Sequence, residues 1–208
     1  MTIRPAQPDD LAALVRIFRA AGAAAWTEIF DARVLARNEP TALAGRLDDA
    51  LVAEEGDDPV GFALVGDGEL DMLYTDPCVW GEGFGRALMD AALARLASRG
   101  YEEATLWTEE RNERARRVYE RYGWSLDGAV REREYRRTEL REVRYGIRLP
   151  ALPDLATLSD ADLRALIHDL QRREHRISFE RRILHGRIAA VERELDVRSW
   201  TRRLPEGV

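Results

Sequence analysis

LDMLYTDPCVWGEGFGRALM, residues 70–89, sets a strand, a turn, a glycine-rich loop and a helix start end to end. Leu70–Thr75 reads as a strand, and Asp76-Pro77 ends it because proline has no N–H for a sheet ladder. Gly81, Gly83 and Gly85 let the backbone approach a ligand closely. The following helix is read as Gly85–Arg99, with Leu88, Ala92 and Leu96 on one face and Gly100 as its C-cap. Its first N–H groups have no partner within the helix and point outward, and the helix dipole favours an anion there. Arg86 adds a charge to that end. Taken alone, the loop is equally a tight turn after a strand. Two better-known phosphate loops do not fit. A dinucleotide fingerprint needs glycine or alanine where Leu88 stands, and a triphosphate loop needs a lysine.

Reading upstream, Thr2–Arg4 is a short strand, and Asp9–Ala25 is a helix with Leu11, Leu14, Val15 and Phe18 on one face. A second helix is predicted over Thr41–Ala50. Leu51–Glu54 and Gly61–Val65 are strands separated by EGDDP, and Gly66-Asp67-Gly68 is a turn into the strand Leu70–Thr75. Downstream, Thr105–Thr108 is a strand, Arg111–Tyr122 a helix ended by Gly123, and Ser125–Val130 and Val143–Leu149 are closing strands. Pro150 and Pro153 mark a linker.

The chain has 208 residues, 45% of them apolar, enough for one domain core plus an extension. No long uncharged apolar run reads as a membrane span. The opening MTIRPAQPDD has no secretory pattern, and the one cysteine, Cys78, cannot form an intrachain disulfide, so a cytoplasmic protein is expected. The net charge of -6 argues against DNA or RNA as partner. All 32 basic residues are arginine, a side chain suited to phosphate. No metal site is expected.

A second motif follows the first. NERARRVYERYGW, residues 112–124, carries Asn112, Ala115, Tyr119, Gly123 and Trp124 in order. Together with the loop from Trp80 to Gly85, it resembles the GCN5-related N-acetyltransferase family. That family places Gln/Arg-x-x-Gly-x-Gly/Ala after its fourth strand and Asn-x-x-Ala-x-x-x-Tyr-x-x-x-Gly-Phe beyond it. Trp80 departs from the usual Gln or Arg, and Trp124 stands in the aromatic place. The resemblance implies an α+β fold, a mixed and largely antiparallel sheet with flanking helices. It implies transfer of acetyl from acetyl-CoA to a primary amine of a small molecule or protein, directly within a ternary complex.

It also implies roles. Gly81, Glu82, Gly83, Phe84, Gly85 and Arg86 hold the coenzyme A pyrophosphate, mostly through main chain, and Asn112 and Ala115 belong to the same cofactor site. Main chain at Leu73, Tyr74 and Thr75 meets the acetyl and pantetheine part. Tyr119 is the candidate general acid, read otherwise as a core aromatic. Glu69 is the candidate base, read otherwise with Asp71 as a solvated acid pair on one strand face. Trp26, Glu28 and Trp107 are candidate acceptor-pocket residues. Cys78 reads as loop filler.

Beyond Ser159 the pattern changes. Ser159 and Asp162 resemble a capping box. Leu163, Leu166, Leu170, Ile177, Leu184, Ile188, Val191 and Leu195 then recur in steps of threes, fours and sevens, one long helix with a narrow seam. Within it, Glu174, Ser178 and Arg181 resemble a motif of actinobacterial anti-sigma factors that bind cyclic di-GMP on a coiled coil. His185 stands where that motif has Gln, and Ala189 where it has Asp. The plain reading of these polar seam positions is that they set register or oligomer state.

The expected organisation is a catalytic domain over 1–149, a linker over 150–158, and a helical dimerisation or regulatory module over 159–208. The helix is expected to make a homodimer, with cyclic di-GMP as a further candidate ligand. The alternative for the whole chain is a regulatory protein that senses acyl-CoA or cyclic di-GMP and uses the helix to hold a partner.

Overall fold

The computed structural model describes residues 1–26, 41–135, 138–150, 153 and 155–201. It divides into two compact units, Met1–Leu152 and Pro153–Val208.

The first unit is built on strands β1 (Thr2–Pro5), β2 (Ala50–Glu55), β3 (Asp58–Gly66), β4 (Glu69–Thr75), β5 (Glu103–Glu109), β6 (Ser125–Tyr135) and β7 (Thr138–Arg148). Their spatial order is β1-β2-β3-β4-β5-β7-β6. Every neighbouring pair is antiparallel except β4 and β5. The turn from β3 to β4 is Asp67-Gly68, both at positive φ (51° and 78°). Asp-Gly is suited to this two-residue hairpin loop because its twist matches that of the strands.

Helices cover both faces of the sheet. Helix α1 (Leu11–Ala25) packs Leu14, Ile17 and Phe18 with Val52, Phe62 and Leu64, joined by Leu43 of the short α2 (Thr41–Ala44). On the other face α3 (Phe84–Ser98) packs Leu88, Met89, Ala92 and Leu96 with Ala63, Val65, Leu70 and Leu106, and Tyr119 and Tyr122 of α4 (Glu113–Tyr122) lean on that cluster. Successive β3 side chains go to opposite faces, and Phe62, Ala63, Leu64 and Val65 are all fully buried. A strand covered on both sides has no polar alternation to show. Each large apolar side chain so buried contributes about 1.5–3 kcal/mol. At Gly61 a Cβ would fall 2.9 Å from Thr75 Cγ2 and 3.0 Å from both Leu88 Cδ1 and the Tyr74 carbonyl, so glycine lets β4 and α3 close on β3.

Three expectations need correction. The helix expected over 41–50 is only Thr41–Ala44, followed by a 3-10 turn at Leu47–Asp49, and Ala50 already belongs to β2. Asp49 is held by Arg99 at 2.7 Å, which ties this stretch to the end of α3. The closing strands are longer than expected, because β6 and β7 run on into a hairpin of cross-strand partners such as Arg131↔Glu142 and Glu132↔Arg141. Opposite charges replace the apolar alternation there. Asn112 also precedes its helix, which starts at Glu113.

The second unit contains α5 (Asp160–Thr201), 42 residues long. Ser159 Oγ and the Asp162 carboxylate form the reciprocal cap, with Ser159 Oγ donating at 2.6 Å and Asp162 N–H donating back to Ser159 Oγ at 3.3 Å. The seam lies open: Ile177 is 64% exposed and Val191 61%. No described helix is long and apolar enough to cross a membrane.

Candidate active site between the diverging strands

β4 and β5 are joined at one position, Glu69↔Thr105. Beyond it they part, β4 following β3 and β5 following β7. The facing edges keep backbone N–H and C=O groups that no described strand satisfies, and such groups demand partners. The wedge between them holds a cavity of about 820 Å³.

At one end of the cavity lie Gly81, Gly83, Gly85 and Arg86. Gly81 and Gly83 have φ of 93° and 94°, the left-handed region that side chains disfavour. Gly83 is the N-cap of α3, so the N–H groups of Phe84, Gly85 and Arg86 form the open first turn. Among the described residues, nothing lies within 4 Å of a Cβ placed on Gly81. Bare backbone donors, the helix dipole and Arg86 fit a diphosphate. The Phe84 side chain is buried in the core, Glu82 is exposed with its N–H donating to the Val79 carbonyl at 3.3 Å, and neither lines the cavity.

Trp80 explains its own departure from the family pattern. Its indole N–H donates to the Thr75 carbonyl at 3.1 Å, capping a β4 edge group as a glutamine or arginine side chain can. The Arg114 guanidinium stacks on the indole at 3.6 Å. This pair ties the loop after β4 to the helix after β5. Asn112 is 8% exposed and lines the cavity, and its Oδ1 accepts from Ala115 N–H at 3.2 Å to cap α4.

Leu73, Tyr74, Thr75, Ala115 and Tyr119 line the middle. The Tyr119 ring meets Trp124 edge-on at 6.4 Å, and its phenol is pushed up to about 12 by burial and by Tyr145. It therefore keeps its proton at neutral pH.

The other end is built from side chains. Glu69 is raised above the ordinary glutamate value, chiefly by burial and next by the Asp71 charge, while Arg131 and the Trp107 indole oppose the rise. Asp71 sits at a β-bulge, where the β3–β4 ladder steps from Leu64↔Met72 to Val65↔Leu70. Arg46 donates to it at 2.6 Å. Arg131 stacks on Trp107 at 4.3 Å and binds Glu142 at 2.6 Å. Glu109, 1% exposed, is satisfied by the N–H and side chain of Arg111 at 2.6 and 2.7 Å.

The structure thus brings Glu69, Trp26, Trp107 and Tyr119 to one cavity with the glycine loop. Glu28 lies outside the described residues. Sequence reading missed Arg46, Arg114, Arg131, Glu109 and Glu142. The signal for the hairpin members was charge alternation, with Arg131 and Arg133 facing Glu142. Cys78 is exposed, and its thiol is raised by the neighbouring Asp76 carboxylate, the reverse of what a nucleophile needs. In α5, Ser178 Oγ donates to Glu174 at 2.8 Å; Arg181 and His185 stand exposed on the same helix face.

Residues 11–124 match the family model described as Acetyltransferase (GNAT) family, and residues 149–206 match one described as RsiG-like. A mycothiol acetyltransferase of Beutenbergia cavernae is 45% identical over 58 residues, 28% of this chain and 20% of that protein. An uncharacterized N-acetyltransferase of Archaeoglobus fulgidus is 31% identical over 131 residues, 57% of this chain and 89% of that protein. A GCN5-related N-acetyltransferase structure from Rhodopseudomonas palustris has a TM-score of 0.63 at 23% identity, covering 71% of this chain and 95% of that one. The structure of yncA from Salmonella typhimurium with its cofactor acetyl-CoA has a TM-score of 0.54 at 24% identity, covering 74% and 98%. The chain spans between 19% and 24% of the length of the mycothiol acetyltransferases it matches.

Proposed function

The chain belongs to the GNAT acetyltransferase family, and on that premise we propose that it moves acetyl from acetyl-CoA to a primary amine, directly within a ternary complex. The observation that carries this reading is the open-edged cleft, with a glycine cradle at one end, the Glu69–Asp71 pair at the other and Tyr119 between. Acetyl-CoA supplies the acetyl group in activated thioester form. Main chain at Gly81–Arg86 holds the diphosphate, and the free β4 edge at Leu73–Thr75 pairs with the arm that follows and polarises the acetyl carbonyl. Asn112 and Ala115 shape the opposite wall. Glu69, as carboxylate, takes the proton of the incoming ammonium, directly or through water. Tyr119, still protonated, gives its proton to the departing sulfur. A screen of amines with acetyl-CoA, following free thiol release, tests the reading. Release that depends on an amine and disappears in Tyr119→Phe supports it; release with no amine in the panel, or equal release in the variant, contradicts it.

In the same reading, residues 1–149 are the transferase domain, 150–158 the linker and 159–208 the helical module. The open seam of α5 supports pairing of two copies, because a helix cannot bury a one-sided seam by itself. The RsiG-like match and the Glu174–Ser178–Arg181 face, with His185, support cyclic di-GMP as a ligand of that module. Light scattering of the full chain tests the dimer, with Leu184→Glu expected to give a monomer. Cyclic di-GMP titration with and without Arg181→Ala tests the ligand, and no binding at tens of micromolar leaves α5 an oligomerisation element.

A further inference from the structure

The Arg46 side chain comes from the turn after α2, far from every sequence motif, yet it reaches the carboxylate end of the cleft. Its Nη2 donates to the Val65 carbonyl at 3.2 Å and to Asp71 Oδ2 at 2.6 Å. Its Nε stands 3.6 Å from Asp49, which Arg99 also holds. The path runs across Gly66. A Cβ there would fall 2.2 Å from Arg46 Nη2, so any other residue would push the guanidinium off. The bulge in β4 supplies the other half of the contact by stepping Asp71 out of the ladder.

We propose that Arg46 is a positioning residue for the base: its guanidinium holds Asp71 against Glu69 and so fixes the charge beside which Glu69 works. The inference rests on Glu69 being the base. An exposed arginine–aspartate pair contributes little to stability in itself. This one is anchored at the Val65 carbonyl and given room by Gly66, a geometry that fixes where the charge lies. The groups facing Glu69 are Asp71 on β4, Arg131 on β6 and the Trp107 indole on β5. Those facing Asp71 are Glu69 and Arg46, with Asp49 behind the guanidinium. With Arg46 in place, the Asp71 charge that Glu69 faces is offset by the guanidinium. Without it, that charge stands unopposed and Glu69 binds its proton more tightly.

A carboxyl carbon-13 NMR titration of the full chain tests this, with the two resonances assigned through Glu69→Gln and Asp71→Asn. In the parent chain the proton release of Glu69 is read on its own carbon. In Arg46→Met the Glu69 step moves up by about one pH unit, the size expected for removing a nearby opposite charge. Gly66→Ala, which leaves all three charged side chains in the chain, reproduces that shift. Arg46→Lys keeps the Glu69 step where it was. A Glu69 step at an unchanged pH in both Arg46→Met and Gly66→Ala overturns the inference. Failure of the underlying reading looks different: Glu69→Gln then leaves the acid limb of acetyl transfer where it was, whatever the titration shows.

Discussion

At the glycine end of the cleft the recognising groups are backbone amides from one continuous loop, whereas at the carboxylate end they are side chains drawn from separate elements. In the proposed reading Gly81–Arg86 holds a diphosphate with little regard to neighbouring side chains, because N–H groups and a helix dipole are fixed by the fold. Glu69, Asp71, Arg46, Trp107, Arg131 and Glu142 come from β4, the turn before β2, β5, β6 and β7. In the proposed reading, backbone holds the donor and side chains meet the acceptor.

The contrast can be broken most severely at Gly83. At φ 94° a β-branched side chain is strained. Gly83→Val is expected to abolish the rise in melting temperature that acetyl-CoA gives the full chain by binding only the native state. Circular dichroism separates this from misfolding, and an undiminished rise in a folded variant removes the loop from the donor site. Next in size is Tyr119→Phe. Loss of the proton donor should lower turnover about 10²-fold or more, with acetyl-CoA affinity by titration calorimetry left nearly intact.

Glu69→Gln sharpens the comparison from the other end. Because the folded-state pKa of Glu69 is raised, its active carboxylate form is lost as pH falls through that raised value. The parent chain should therefore lose activity on the acid side at a pH above the ordinary glutamate range. The variant should regain rate only at higher pH, where the amine is already neutral, and a pH–rate profile checks both. The smallest effect is expected at Trp124→Phe. Among the described residues the buried indole N–H has no hydrogen-bond partner, so removing it offsets the volume lost, and the net change in urea-unfolding stability should be under about 1 kcal/mol.

What was legible in the sequence follows the same division. The stretch 70–89 and the spacing from Asn112 to Gly123 announce the glycine end, because glycines and caps answer to backbone geometry within a few residues. Strands β1 to β4 and helices α1, α3 and α5 were readable from period and punctuation. The β6–β7 hairpin was not, because its ladder is built from ion pairs such as Arg131–Glu142 rather than an apolar stripe. Nothing in the sequence marks Glu109 or Glu142 as buried, and only the fold shows them so, at 1% and 5% exposure. Arg46 could not be read at all, since its link to Asp71 spans 25 positions and depends on a bulge and on the empty space over Gly66.

The central claim is that the unpaired edge of β4 and the loop after it form one continuous cofactor site. Amide hydrogen exchange of the full chain, with and without acetyl-CoA, measures this directly. The account expects new protection in peptides covering Leu70–Thr75 and Gly81–Arg86 together, with β1 and β2 unchanged. Protection of neither stretch, or protection confined to α5, would contradict it.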